Sequence, residues 1–350
     1  MTYSKILLEE SNPIVGLDVV SRVRSAFELR NGIFSTLERI KLENPNAKIF
    51  YKGYSETLTK IFLESHPEIL PFSSANSETN FDLVVNLEKI TPWENIRNVG
   101  KNIETDLSLL KDFKKWRQKF KLKTEKFSLV GKEKNLYVHP SVSILPGVVI
   151  DTSSGPVILD KNVKISPFSF LEGPLYIAPD ASIDNARITG GTILGKMNRI
   201  GGEVENSIFQ DFSNKHHEGF VGHSFVGSWV NFGALATTSD LKNNYGMVNL
   251  KIQNSVVNTG TIKFGSIVGD FSKISIGTML NTGTVIDLGA NVVQDRVSGY
   301  VPAFSWVNNV ERYKIDRFLQ DTKKIMARRN QTLSEAHEAL LVELYHKLGK

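Results

Sequence analysis

The stretch LDKNVKISPFSFLEGPLYIAPDASI (159–183) has an aliphatic residue at every sixth position: Leu159, Ile165, Leu171, Ile177 and Ile183. Upstream, Val138, Ile144 and Ile150 keep the same period, and it returns downstream at Val268, Ile274, Leu280, Ile286 and Val292. Small residues stand four places after many of these, at Ser169, Ala181, Ser272, Thr278, Thr284 and Ala290, with Gly and Asn between. A period of six is neither the 3.6 of an amphipathic helix nor the alternation of a half-buried strand. It fits a unit of one short strand and one turn, three of which close a triangular coil. Coils then stack by parallel pairing about 4.8 Å apart with the aliphatic residue inward. Their continuous core lasts only as long as the period is kept.

The pattern resembles the hexapeptide-repeat acyltransferases, which fold as left-handed parallel β-helices. That resemblance implies a homotrimer in which acyl-CoA and the acceptor meet in clefts between neighbouring prisms.

Working outward, 350 residues allow two domains, or one domain and an elongated module. A hydrophobic content of 41% with 23% charged residues is ordinary for a soluble globular chain. The absence of cysteine excludes disulfides, thiolate metal sites and a cysteine nucleophile. The N-terminal MTYSKILLEESNP has no basic segment followed by a long apolar core, and no apolar run reaches membrane-spanning length. A cytoplasmic protein without a membrane partner is expected. The net charge of +5 is concentrated in 111–126 and 323–329. In the first, Phe113, Trp116 and Phe120 recur at helical spacing, which reads as an amphipathic helix with a solvated basic face. No nucleic-acid-binding motif accompanies it, so small anionic metabolites are the expected partners.

Residues 1–110 alternate strand and helix. Strands are expected at 5–8, 48–51 and 81–87, and helices at 32–42, 56–64 and from about 102 to 120. This describes a small α/β domain with a partly parallel sheet. It has no glycine-rich phosphate loop; Arg24 and Arg30, ahead of a helix, are the candidates for holding a nucleotide phosphate, or else surface ion-pair residues. A helical linker is expected over 111–135, the β-helix over 136–300 and a helical tail over 301–350. Helices at 310–327 and 334–348 would cap the open end of the prism or pack on a neighbouring subunit.

Between the two regular runs lies EVENSIFQDFSNKHHEGFVGHSFVGSWVNFGALATTSDLKNNY (203–245), where the rhythm breaks and His216, His217 and His223 cluster. Polar interruptions of a scaffold are where chemistry is grafted. The segments GGEVENS (201–207), SNKHH (213–217), GFVG (219–222), WVNFGA (229–234) and SDLKNNY (239–245) resemble the bacterial family of bifunctional UDP-N-acetylglucosamine diphosphorylase/glucosamine-1-phosphate N-acetyltransferases. The likeness continues through VPAFSW (301–306) and MARR (326–329), and reaches upstream to RSAFELRNG (24–32) and TPW (91–93).

The resemblance implies a truncated nucleotidyltransferase-like domain and an acetyltransferase working with acetyl-CoA on a sugar phosphate or amino sugar in UDP-N-acetylglucosamine biosynthesis. It makes His217 the general base, the role imidazole suits because it titrates near neutrality. Asn231 is implied in acceptor positioning, Arg187 or Arg199 in holding a sugar phosphate, and Lys242, Asn243, Asn244 and Tyr245 in acceptor binding. No metal site is expected, since no carboxylate or cysteine completes a familiar spacing with the three histidines. Mg²⁺ would be needed only for an active N-terminal domain. The family's uridyltransferase loop is absent, and Glu205, Phe220 and Asp240 stand where relatives carry Lys, Tyr and Asn. Two alternatives stay open: nucleotidyl transfer to a sugar 1-phosphate by the N-terminal domain, and an inactive trimeric scaffold or sugar-nucleotide-binding protein.

Overall fold

The computed structural model describes residues 3–10, 16–73, 80–87, 91–110, 127–307 and 312–348. The hexad residues do what their period requires. Val138, Ile144, Ile150, Leu159, Ile165, Leu171, Ile177, Ile183, Val268, Ile274, Leu280, Ile286 and Val292 all belong to one buried cluster inside a left-handed parallel β-helix. Its strands stack in register on three faces. On the first, Ile144 pairs with Ile165, Ile165 with Ile183, Ile183 with Ile200 and Ile200 with Lys215. The second runs from Phe127–Val130 to Arg296–Val297, and the third is a nine-stranded sheet from Leu136–Val138 to Tyr300–Val301.

Corners demand left-handed backbone, and much of it is carried by non-glycine residues. Asn162, Asp180, Met197, Phe212, Trp229 and Phe271 take φ between 58° and 67° at successive turns into the first face. Such residues normally avoid this region. The aromatic three stack on one another, the Phe212 and Trp229 rings parallel at 4.3 Å and Trp229 and Phe271 at 6.3 Å, while Asn162 Nδ2 donates to Asp180 at 3.0 Å.

The N-terminal sheet is parallel, in the order β3 (Leu70–Pro71), β2 (Lys48–Lys52), β1 (Lys5–Glu9), β4 (Leu83–Asn86). The expected helices are α1 (Thr36–Glu43) and α2 (Glu56–Ser65), followed by α3 (Pro92–Arg97) and α4 (Val99–Leu109). Ser35 and Thr91 close capping boxes at the starts of α1 and α3. This domain lies on the third face of the prism. Its Ile6, Phe27, Trp93, Val99 and Ile103 share a core with outward-facing Ile158, Tyr176, Ile193, Ile208, Phe225, Ile267 and Val285.

Several boundaries differ from expectation. The strand Phe127–Val130 pairs with Val148–Asp151, so the β-helix starts within the region assigned to a linker; the rest of that region, 111–126, lies outside the described residues. The 203–245 stretch does not interrupt the coils. Its strands stay in register through Thr237–Thr238, and the spacing alters because the inward residues follow after five positions instead of six from Val204 to Phe209 and from Val221 to Val226. The true excursion comes later, as an antiparallel hairpin, Asn249–Ile252 with Ser255–Asn258, that folds back so that Val248, Leu250 and Ile252 join the N-terminal core.

The tail forms α5 (Ile315–Ala327) and α6 (Glu335–Lys347). Phe318, Leu319, Leu340, Leu341 and Leu344 pack with Trp229, Phe271 and Phe304 of the prism and with Leu58 and Ile61 of α2. The helices therefore bind their own chain along the aromatic corner. Among the described residues no helix is long and apolar enough to cross a membrane.

Candidate functional site

On the first face, Arg199, Asn214, Asn231 and Lys273 occupy matching outward positions on four successive strands. At about 4.8 Å per strand step the column spans roughly 14 Å. Asn214 Nδ2 donates to Asn231 Oδ1 at 2.9 Å, one rung of an amide ladder. The end of α5 runs opposite, and between them is a cavity of about 370 Å³ walled by the column, the Trp229 ring, Ile325, Arg328 and Arg329.

The first face turns into the second through His216, His217, Glu218 and Gly219. Lys215, just before the turn, occupies an inward hexad position where the neighbouring coil has Ile200, and it is 1% exposed. Its ammonium donates to the Gly201 carbonyl at 2.6 Å and the His217 carbonyl at 3.0 Å. Burial lowers its pKa to about 8, against the opposing pull of Glu218 and Glu203. The His216 ring reaches across Gly201 and bonds through Nε2 to Asp184 at 2.9 Å. Burial depresses its pKa further than Asp184 lifts it, with His217, Arg199 and Arg329 adding to the depression. The His217 ring stacks on His216 at 5.1 Å and is exposed.

His223 takes φ +45° at the corner between the second and third faces, where its Nδ1 is 2.7 Å from Asp240. Burial alone would raise the Asp240 carboxyl; the hydrogen bond and charge of His223, with Lys263, bring it below the usual range. No group of three or more His, Asp or Glu side chains converges to hold a metal among the described residues.

The candidate residues thus separate. Arg199 and Asn231 line the first-face cavity beside the His216–His217 turn. Arg187 sits on the second face, paired with Glu203 at 2.6 Å. Lys242, Asn243 and Asn244 line another depression, of about 560 Å³, with Asn281 and Arg296. There Lys242 Nζ donates to the Met247 carbonyl at 2.6 Å, and Tyr245 stands exposed beside the depression at φ +55°.

Arg24 and Arg30, expected either to hold a phosphate or to form ion pairs, are engaged as staples between the domains. Arg24 bonds to Ser228 at 2.8 Å and Asp270 at 2.9 Å. The Arg30 guanidinium lies over the Tyr176 ring at 5.8 Å and bonds to the Ile33 carbonyl, while its backbone exchanges two 2.9 Å bonds with Gln210. Arg22 acts likewise, gripping buried Asp287 through two 2.6 Å bonds.

Sequence reading missed Lys215, Asp184, Asn214, Lys273, Arg328 and Arg329. A charged residue at an inward hexad position was the available signal for Lys215. The basic run at 323–329 held the two arginines, but nothing in it told which ones face the prism.

No family model matches the chain. It is 28% identical over 175 residues to the uncharacterised acetyltransferase YaiX of Escherichia coli, an alignment covering 48% of this chain and 74% of that protein. It is 22% identical over 305 residues to the bifunctional protein GlmU of Thermotoga maritima, covering 85% of this chain and 63% of that relative. Among solved structures, a mutant of perosamine N-acetyltransferase from Caulobacter crescentus, in complex with CoA and GDP-perosamine, matches at 13% identity over 87% of this chain and 96% of that one, with a TM-score of 0.18. A superposition at that score adds nothing to the fold described above.

The prism gives the chain the left-handed β-helix expected of the hexapeptide-repeat acyltransferases, with an α/β domain appended, and its sequence is similar to acetyltransferases. Within the class its relatives include the GlmU proteins, as the residues around His217 imply, and the chain spans less than two thirds of the Thermotoga one.

Proposed function

We propose that this protein transfers an acyl group, such as acetyl, from acyl-CoA to the amino or hydroxyl group of a phosphorylated sugar, with His217 as the general base. The observation that carries the reading is a stacked imidazole pair at a rigid corner: His216 is anchored by Asp184, and His217 is open to solvent beside a cationic cavity. The acceptor nitrogen or oxygen attacks the thioester carbonyl and gives its proton to His217. The C–S bond then breaks, and the proton passes to the departing thiolate. An imidazole can both accept and return a proton, as the two transfers require. Leu235 and Ile276, exposed on the same corner, offer an apolar track for the thioester's arm.

Glu205 and Asp240 leave the second face more acidic than in the resembled family, which favours an amino-sugar phosphate other than glucosamine 1-phosphate as acceptor. The separate depression at Lys242, Asn243 and Asn244 can join the acceptor site only from a second copy, and this supports a homotrimer. The purified protein is to be incubated with acetyl-CoA and a panel of amino-sugar phosphates while free thiol is followed. Thiol release that depends on one acceptor and falls about 10²–10⁴-fold in His217→Ala is the expected result. Unchanged release in that variant would overturn the assignment of the base.

A further inference from the structure

The cavity between the first face and α5 is lined by four cationic side chains, Arg199, Lys273, Arg328 and Arg329, and by no carboxylate. Arg199 and Arg328 are exposed at its rim and Arg329 is half-buried, while the more deeply held Arg22, Arg24 and Arg39 are paired with Asp287, Asp270 and Asp106. Arg199, Arg328 and Arg329 have no such partner; their guanidiniums take part in no ion pair or side-chain hydrogen bond among the described residues. Arg329 also feels its neighbours. Burial and the charges of Arg199 and Arg328 together push its pKa down. Cations held together without a counter-charge repel one another, and that repulsion is relieved when an anion enters. Lys273 is less free, since its ammonium lies over the Tyr313 ring at 5.0 Å.

We infer that this cavity is a phosphate-ester site, in which Arg199 from the prism and Arg328 and Arg329 from the end of α5 close on one phosphate group. Guanidinium forks match phosphate oxygens in pairs, and the fixed column of Arg199, Asn214 and Asn231 sets the distance from that phosphate to the His216–His217 turn. The position makes the tail helix a working part of the site. The phosphate belongs either to the nucleotide end of the acyl donor or to the sugar acceptor. Assigning it to one of these substrates rests on the acyl-transfer reading; the anion site itself does not.

The test is equilibrium binding by calorimetry, which needs no turnover. Adenosine 3′,5′-bisphosphate stands for the donor's nucleotide end and galactosamine 1-phosphate for the acceptor. Saturable binding of either is expected, weakening with added salt and falling about 10- to 100-fold in both Arg199→Ala and Arg328→Ala/Arg329→Ala. Arg97→Ala, at an exposed residue on α3, should leave it unchanged, with melting temperatures recorded for every variant. Whichever probe binds names the substrate. If neither binds, or if binding survives loss of the arginines in folded protein, the inference is overturned. Binding lost with the arginines in a protein that never releases thiol would keep the phosphate site and discard acyl transfer.

Discussion

Lys215 is the residue least in keeping with its surroundings. The inward positions before and after it on the first face, Ile200 and Phe232, are apolar, and a lysine there must lose its hydration. Its ammonium is held by two carbonyls, one of which belongs to His217, so the same side chain that strains the core also fixes the turn. A pKa lowered from 10.5 to about 8 means that the unfolded chain binds the proton more tightly than the folded one. Below pH 8 both states are charged and the folded state carries the full penalty. As pH rises from about 8 to 10.5 the folded lysine is neutral while the unfolded one still holds its proton, so stability from this group increases. Wild-type protein should therefore gain on the order of 2–3 kcal/mol relative to Lys215→Met between pH 7.5 and 10.5. Parallel denaturant titrations of the two proteins measure this. A difference that stays flat with pH would show the lysine to be ordinarily solvated.

At the scale of elements, the corner at Gly201-Gly202 matters more than its two residues suggest. A Cβ on Gly201 would stand 1.9 Å from the His216 carbonyl oxygen and 3.0 Å from that of Asp184, both backbone atoms that cannot swing aside. The missing side chain is what lets His216 cross its own neighbour and reach Asp184. Gly201→Ala should displace the 216–219 turn, lower the melting temperature and cut thiol release by about 10²-fold, the scale set by an ångström of misplacement. Gly190→Ala, where a Cβ would meet nothing within 4 Å, is the matched control. Equal activity in the two variants would detach the turn from catalysis.

The same scale shows what the amino-acid pattern could and could not reveal. The inward hexad positions were legible because a single physical demand, burial in a narrow prism, selects aliphatic residues every coil. The covered third face was legible in principle, for Val157-Ile158-Leu159 and Leu175-Tyr176-Ile177 are apolar at both inward and outward positions, as strands buried on two sides are. Only their inward members follow the hexad, which hid the contact with the N-terminal domain. Arg24 and Arg30 stayed ambiguous because an arginine before a helix reads alike whether it awaits a phosphate or a partner far along the chain, such as Asp270 for Arg24 and Tyr176 for Arg30. Arg328 and Arg329 join the cavity through helix packing, and no local spacing encodes that.

Over the whole molecule, the three sides of the prism are not equally covered. The N-terminal domain and the hairpin take the third face, and α5 and α6 take the corner before the first. Among the described residues nothing covers the corner between first and second faces, yet it carries Phe168, Leu235 and Ile276, which are 80%, 63% and 76% exposed. Leu235 and Ile276 stand on consecutive rungs and Phe168 four rungs before them, and large side chains left in water along one corner mark a surface of the kind that partners cover. The occupant consistent with the divided acceptor residues is a second and third copy of this chain. Wild-type protein should then sediment at three times the chain mass of 39.1 kDa. Ile276→Asp places a carboxylate on that surface in every copy, and it should give a folded species of single-chain mass. Because His217 lies on the same corner, thiol release should vanish with the assembly while phosphate-ester binding, contained within one chain, persists. A single-chain mass for the wild type would instead leave that surface to the acyl donor, and would require Lys242, Asn243 and Asn244 to be dropped from the acceptor site.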